Sequence, residues 1–145
     1  MYQRLLIATD GSELAEKAVT SGLALAKDLA AQVVVVTATE PWTAMTNGEG
    51  FAFSFPVEEY EKAAAERAEQ ILGKARAEAQ QMAIACETVH VNDFPAEAIL
   101  ATAKSKHCDL IVMASHGRRG VARLLLGSQA AQVVALSTIP VLICR

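Results

Sequence analysis

The stretch Leu110-Ile-Val-Met-Ala-Ser-His-Gly-Arg-Arg-Gly-Val-Ala-Arg-Leu-Leu-Leu-Gly-Ser128 decides the fold, because an apolar run passes through a glycine-rich loop into a new helical pattern. Glycine lets the main chain approach an anion without a Cβ in the way. The free N–H groups and the dipole of a helix start attract negative charge. This order of elements indicates either a backbone phosphate site or a simple turn.

Around this loop, strand patterns and helix patterns alternate along the whole chain. Strands are predicted at residues 4–9, 32–40, 84–91, 110–113 and 139–144. Helices are predicted at residues 13–30, 57–81 and 128–136, with a further one starting at Asp93 and Pro95. The alternation indicates an α/β fold in which helices cover both faces of a parallel sheet through right-handed crossovers.

Hydrophobic spacing predicts which side of each element is buried. Four consecutive valines, Val33 to Val36, suit a strand that is buried on both faces, whereas alternation over residues 84–91 suits a sheet edge. The core side of the first helix is predicted to hold Ala15, Ala18, Val19, Gly22, Leu23, Ala26 and Ala30. The long helix has a thinner stripe of Tyr60, Ala64, Ile71, Ala75 and Met82. The last helix is predicted to turn Ala131, Val134 and Ala135 inward.

The composition limits the classes of protein to which the chain can belong. The chain has 145 residues, 52% of them hydrophobic, which suits one domain over residues 1–145 with a real core. A net charge of −3 gives no global field toward nucleic acid or an acidic membrane. The three cysteines lack metal-binding spacing and are expected to be reduced, buried thiols. With neither a signal-peptide layout nor a membrane-length apolar run, we expect a cytoplasmic protein.

Two segments are candidates for one ligand crevice. In open parallel sheets the crevice lies at the carboxyl ends of the strands, where the strand order reverses. Ala8-Thr9-Asp10 follows the first predicted strand, and the glycine loop follows the fourth. If these two strands are neighbours, the two segments face each other across the crevice.

Several groups in the loop can bind an anion. Backbone N–H groups from Gly117 onward can form a nest, and those of residues 127–129 lie at a helix start. The Ser128 hydroxyl can also reach a phosphate, although Ser128 is equally suited to be an ordinary helix N-cap. Arg118 and Arg119 can clamp phosphates or form a solvated surface pair.

The remaining polar candidates have plainer alternatives. Asp10 would repel a bare phosphate, so it suits a ribose hydroxyl or the surroundings of a divalent cation, or else it is a turn aspartate that binds its neighbours. His116 has no carboxylate or nucleophile paired with it in the sequence, which favours a positioning or surface histidine. The loop over residues 42–56, with Phe51, Phe53 and Phe55, suits a lid or packing patch.

Five segments in order along the chain resemble the universal stress protein family. They are Ile7-Ala-Thr-Asp10-Gly-Ser12, Asp109-Leu-Ile-Val-Met113, His116-Gly-Arg-Arg-Gly120, Leu124-Leu-Leu-Gly-Ser128 and Ile139-Pro-Val-Leu142. The ATP-binding branch of that family carries Gly-x-x-Gly, nine residues, then Gly-Ser or Gly-Thr. Gly117, Gly127 and Ser128 fit this pattern, whereas Ala114 replaces its first glycine. If the backbone at residue 114 is in the β region, alanine in place of glycine costs little free energy. If φ is positive there, the replacement costs roughly 1 kcal/mol.

The resemblance implies a fold and a ligand. The fold is a three-layer α/β/α sandwich with a five-stranded parallel sheet in the order 3-2-1-4-5, Rossmann-like and of the adenine nucleotide alpha hydrolase-like type. The ligand is ATP with Mg²⁺ or Mn²⁺, with Asp10 near the nucleotide-bound metal and no metal site made by the protein alone. A homodimer pairs the last strand, Val141 to Cys144, with its copy.

The resemblance also implies roles for particular residues. Backbone around Ala8 and Thr9, together with Ala38, frames the adenine, while Val112 and Met113 line the base and ribose side. The full set of candidate nucleotide-binding residues is Ala8, Thr9, Asp10, Ala38, Val112, Met113, Ala114, His116, Gly117, Arg118, Arg119, Gly120, Gly127, Ser128 and Gln129.

The residues and the resemblance together leave three candidate functions. The first is an ATP-binding, nucleotide-dependent stress or regulatory module with no catalytic residue. The second is a slow ATPase or phosphotransferase, against which the chain has no Walker-type Gly-Lys-Ser/Thr and no evident general base. The third is a dimeric interaction module that no longer binds nucleotide, with Ala114 as the lesion.

Overall fold

The computed structural model describes residues 1–42, 56–117 and 126–145. Its strands are Arg4–Ala8 (β1), Gln32–Thr39 (β2), Cys86–Asn92 (β3), Leu110–Ala114 (β4) and Val141–Cys144 (β5). Its helices are Glu13–Leu29 (α1), Val57–Gln81 (α2), Pro95–Ser105 (α3) and Ser128–Leu136 (α4).

All five strands form one parallel sheet in the order β3-β2-β1-β4-β5. Leu6 of β1 pairs with Val34 of β2 on one side and with Ile111 of β4 on the other. The predicted order and the predicted pairing of the first and fourth strands are therefore confirmed. The strand order reverses between β1 and β4, which is where an open sheet forms a crevice.

Helices cover both faces of the sheet, as predicted. On one face, strand residues such as Leu5 and Val35 pack with Leu23 of α1 and Leu72 of α2. On the other face, alternate strand residues pack around Ile99 of α3 and Val133 of α4. This arrangement is a three-layer α/β/α sandwich with an apolar core on each side of the sheet.

Burial along the strands follows their position in the sheet. The four valines of the central strand β2, residues 33–36, are at most 2% exposed, so the predicted burial on both faces is confirmed. The edge strand β3 keeps only partly buried or exposed residues. It spans Cys86–Asn92 rather than residues 84–91. β5 begins at Val141 rather than at residue 139, because the Ser137 hydroxyl bonds the N–H and the carbonyl of Ile139 in a turn.

α1 agrees with its predicted core face. Ser12 is the N-cap, and its hydroxyl accepts a hydrogen bond from the Ala15 N–H at 3.3 Å. The predicted core residues are buried except Ala30, which ends the helix in the left-handed conformation at φ 52°. The helix is therefore fixed at its start, close to the carboxyl end of β1.

α4 buries a different face from the one predicted. Ala130 and Val133 are buried, whereas Ala131 and Ala135 are exposed and Val134 is 47% exposed. The prediction of Ala131, Val134 and Ala135 as inward residues was wrong. Nearly every side of this nine-residue helix is apolar, so helical periodicity cannot select a face, and packing against α3 and the sheet selects it instead.

The buried stripe of α2 is also displaced from the predicted one. Its buried residues are Ala68, Leu72, Ala75 and Ala79. Of the predicted stripe only Ala75 is buried, while Tyr60, Ala64, Ile71 and Met82 are half-buried. Alanines let the helix lie close to its neighbours, and the larger side chains flank that contact line. The prediction gave too much weight to side-chain size.

The predicted loop over residues 42–56, including Phe51, Phe53 and Phe55, lies outside the described residues except at its two ends. At the first end the Trp42 ring lies 5.2 Å from the Tyr60 ring between centroids. The Tyr60 hydroxyl donates to the Glu40 carbonyl at 2.8 Å. These contacts fasten the exit of β2 to the start of α2. In the part of the chain described, no helix combines the length and apolarity needed to span a bilayer.

Gly22 marks a close approach of α1 to the sheet. A Cβ built there would lie 2.6 Å from Ile7 Cδ1 and 3.3 Å from Val112 Cγ1, and both of these side chains are fully buried. Gly73 on α2 is the opposite case, because the nearest atom to its Cβ would be Glu69 Oε1 at 4.0 Å. One glycine is therefore required by packing and the other is not.

We expect Gly22→Ala to lower the free energy of unfolding by about 1 kcal/mol, because overpacking outweighs the gain in helix propensity. Gly73→Ala should raise it by roughly 0.5–1 kcal/mol, since there only the propensity changes. Urea denaturation of both variants measures the two effects. Stabilisation by both substitutions would contradict the close packing of α1 on β1 and β4.

Burial raises the pKa of the Cys108 thiol to about 11, with Arg4 opposing the shift. The thiol titrates near 9.0 in the unfolded chain, so the unfolded state loses its proton first as the pH rises. The stability that the protonated Cys108 thiol contributes below pH 9 should therefore be lost as the pH rises from about 9 to about 11. Over this pH range, the free energy of unfolding of Cys108→Ala should fall by roughly 1–2 kcal/mol less than that of the parent chain. Parallel curves for the two proteins would refute this assignment.

Candidate functional site

The carboxyl ends of β1 and β4 lie side by side, at the place where an open sheet forms its ligand crevice. Ile7 pairs with Val112, and from there the two strands run on into Thr9-Asp10 and Ser115-His116-Gly117. The two segments touch, because a Cβ on Gly117 would overlap Asp10 Oδ2. The two segments that were predicted to share a crevice therefore lie against each other, and a side chain at residue 117 would have to displace the Asp10 carboxylate.

The turn after β1 fixes the Asp10 carboxylate at the mouth of this crevice. Thr9 Oγ1 accepts from the Gly11 N–H at 3.1 Å, and Gly11 has a positive φ of 78°. Asp10 Oδ1 accepts from the Ser12 N–H at 2.9 Å. The alternative of a turn aspartate therefore holds for one carboxylate oxygen, while the other oxygen lies beside Gly117.

Ser115, which was not among the residues predicted from the sequence, joins three parts of the site. Its N–H donates to the Cys144 carbonyl of β5 at 2.8 Å, and its carbonyl accepts from the Gly127 N–H at 2.7 Å. Its hydroxyl lies 3.2 Å from His116 Nδ1, and the residue is only 4% exposed. Ser115 thereby holds β5, the start of α4 and the His116 ring together. A small polar residue directly after a buried strand was the one available signal.

Gly127 is the N-cap of α4, and its role is steric. Its φ of −68° is open to any residue. However, a Cβ there would lie 3.0 Å from His116 Cβ and 3.2 Å from the Ser115 carbonyl oxygen. Its N–H is already bonded to Ser115, which corrects the expectation that this N–H binds phosphate. Of the three N–H groups that were predicted to bind an anion here, those of Ser128 and Gln129 remain.

The two residues after Gly127 also differ from expectation. Ser128 is exposed and is the first helical residue rather than the N-cap. The Gln129 side chain is engaged, because its Oε1 accepts from the Ala96 N–H at the start of α3 at 3.0 Å. The Gln129 carbonyl oxygen therefore joins the start of α3 to the start of α4.

Charge distinguishes the start of α4 from the other described helix starts. Acidic residues occupy the first turn of the other three: Glu13 and Glu16 in α1, Glu58 and Glu59 in α2, and Glu97 in α3. The first turn of α4 has none, and Gly127 makes no side-chain cap. Since acidic side chains offset the positive end of a helix dipole, the start of α4 keeps its attraction for an anion.

The apolar candidates divide between the two faces of the sheet. Ala8 and Met113 belong to the core cluster on the α3 and α4 side, and strand alternation puts Ala38 on that side with Val36. Val112 belongs to the opposite cluster, where it is fully buried beneath α1. This corrects the expected role of the Val112 side chain, because it packs beneath α1 and not on the side of Ala8 and Met113.

Ala114 is part of β4, where it pairs with Cys144. Its side chain packs with Ala15 and Ala18 of α1. It is not among the described residues with positive φ. The alanine therefore occupies a position with room for one methyl group on the helix side, and the conformational cost weighed for this residue does not arise.

Three candidates lie outside the described residues, and the two histidines other than His116 are engaged elsewhere in the fold. Arg118, Arg119 and Gly120 belong to the undescribed stretch. His90 Nε2 lies 2.8 Å from Thr39 Oγ1, and His107 closes a turn at φ 55°. Across the described ranges, no group of three or more His, Cys, Asp or Glu side chains is placed to hold a metal ion.

Comparison with known proteins agrees with the fold. The chain matches the universal stress protein family over residues 1–145. It is 39% identical, over 100% of both chains, to the universal stress protein in the QAH/OAS sulfhydrylase 3' region of Thermus aquaticus.

Two solved structures are similar over nearly their whole lengths. Hypothetical protein MJ0577 of Methanocaldococcus jannaschii has a TM-score of 0.84 and 27% identity, over 99% of this chain and 96% of that one. A universal stress protein in complex with cAMP has a TM-score of 0.73 and 28% identity, over 99% and 97%. On its matched length, its sheet order and these relatives, the chain belongs to the universal stress protein family.

Proposed function

We propose that this chain is a cytoplasmic, single-domain regulatory module that binds ATP, with Mg²⁺ or Mn²⁺, in the crevice between β1 and β4. The observation that carries the proposal is the convergence of Asp10, Gly117 and the start of α4 on one crevice. The α4 start has no acidic residue in its first turn, which favours an anionic ligand. A relative of known structure that binds cAMP supports an adenine nucleotide.

Each part of the nucleotide has partners in this proposal. Ala8, Ala38 and Met113 offer an apolar surface to the adenine on the α3 and α4 side of the sheet. The N–H groups of Ser128 and Gln129 bind phosphate oxygens, with Arg118 and Arg119 as further phosphate ligands. Asp10 accepts a hydrogen bond from a ribose hydroxyl, near the metal that the phosphates carry.

The packing of Ala114 favours this function over a module that has lost its nucleotide. Its methyl group packs with Ala15 and Ala18 of α1 and lies in a regular strand. The one departure from the family motif therefore adds no side chain on the α3 and α4 side, where the proposed base surface lies. Nothing in this position argues against binding.

The proposed assembly is a homodimer through the β5 edge. β5 pairs only with β4 in the described sheet, so its outer edge is open. Leu142 on β5 is 41% exposed, and the nearby α4 exposes Val134 at 47% and Leu136 at 59%. Open apolar edges invite pairing with another strand, and a second copy offers the same edge.

Titration calorimetry with ATP and Mg²⁺ should detect binding, and Gly127→Val should remove it. A valine side chain at residue 127 would displace His116 and the Ser115 carbonyl, which shape the crevice. Gly73→Ala is the control, because a Cβ on that glycine of α2 would meet nothing closer than Glu69 Oε1 at 4.0 Å and its substitution should leave the affinity for ATP unchanged. Equal affinities for all three proteins would mean that ATP binds elsewhere.

Native mass spectrometry of freshly purified protein separates the proposed function from its rivals. Retained ATP supports the proposal. Retained ADP with release of phosphate would indicate a slow ATPase or phosphotransferase. Absence of retained nucleotide, together with absence of calorimetric binding, would overturn the proposal in favour of an interaction module.

For the proposed dimer, we expect Leu142→Asp to produce a monomer, because a charge at this edge must be desolvated for two β5 strands to pair. Val57→Asp is the control, since Val57 is similarly exposed, at 40%, at the start of α2. Sedimentation velocity at several protein concentrations measures the association of each variant. A monomeric parent chain, or a Leu142→Asp variant that still dimerises, would refute this interface.

A further inference from the structure

The turn before α3 connects the two ends of the proposed nucleotide crevice. The Asp93 N–H donates to the Thr39 carbonyl at 3.0 Å, one residue beyond Ala38 on β2. Three residues later, the Ala96 N–H donates to Gln129 Oε1 at the start of α4 at 3.0 Å. The turn thus runs from the β2 side, where Ala38 faces the proposed base, to the helix start proposed to bind phosphate.

Phe94 occupies the middle of this turn. Its N–H donates to Asp93 Oδ1 at 2.8 Å, and its carbonyl accepts from the Ala98 N–H at 2.9 Å. The backbone is therefore held on both sides of the residue. The side chain nevertheless remains 42% exposed and belongs to none of the described core clusters. A large aromatic group on a fixed turn contributes little to the core here.

We propose that Phe94 stacks on the base of the bound nucleotide and so contributes to the affinity for the base; this inference rests on the proposed function. Every nucleobase has a π-face, and an aromatic side chain gains affinity by covering that face without reading a hydrogen-bond pattern. Ala8, Ala38 and Met113 supply only aliphatic contacts. The turn that carries Phe94 is bonded to Thr39 through Asp93 and to Gln129 through Ala96, at the same end of the sheet as these residues.

The test compares two ligands that share a phosphate chain. Calorimetry measures the affinities of the parent chain, Phe94→Ala and Phe94→Trp for ATP and for inorganic tripolyphosphate. Phe94→Ala should weaken ATP binding about tenfold through loss of stacking and leave tripolyphosphate binding unchanged. Phe94→Trp should retain the affinity for ATP. Val57→Ala, at a similarly exposed apolar residue of α2, should change neither affinity.

The outcomes distinguish this inference from the proposed function. If the parent chain binds ATP and Phe94→Ala binds it equally well, Phe94 does not stack on the base and only the inference fails. An equal loss for ATP and for tripolyphosphate would assign Phe94 a structural role and also overturn the inference. If the parent chain does not bind ATP at all, the proposed function fails first.

Discussion

Direct pairing of β1 with β4 is the constraint on which the rest of the structure depends. Because of this pairing, the strand order reverses in the middle of the sheet. In such a sheet the connections that follow the two central strands run to opposite faces, and the ligand crevice lies between them. At the opposite end of the pair, the Asp109 carboxylate accepts from the N–H groups of Gln3 and Arg4, at 2.8 and 3.1 Å. The Asp109 side chain therefore holds the start of the β1–β4 pair, and backbone hydrogen bonds between the strands hold the rest.

Most of the fold could be predicted from the sequence because the strands and the long helices carry unambiguous patterns. The valines of β2 suit only a strand buried on both faces, and Ser12 marks the start of α1. α4 shows the limit of such reasoning. Its apolar residues surround the helix, so its buried side depends on what packs against it, and periodicity holds no information about that. Its exposed apolar side is the part for which we propose a second copy as partner.

The position of the candidate site was predictable, but the occupation of its hydrogen-bonding groups was not. A strand, a glycine loop and a helix start are local features, and their pairing with Ala8-Thr9-Asp10 follows from the topology. The bonds from Gly127 to Ser115 and from Ala96 to Gln129 join residues that are 12 and 33 positions apart. Such bonds remove donors and acceptors that the local pattern counts as available, and only the folded chain reveals them.

The packing of Ala114 against α1 changes what its place in the motif means. Glycine is favoured by a backbone angle at Gly11 and by close approach at Gly117 and Gly127, whereas position 114 sets only an upper limit on volume. Ala15 and Ala18, themselves as small as a chiral residue can be, define that limit from the helix side. A search pattern that insists on glycine here would discard chains that the geometry accepts. A pattern written for small residues at this position, and for glycine at the next two, would follow the steric rule.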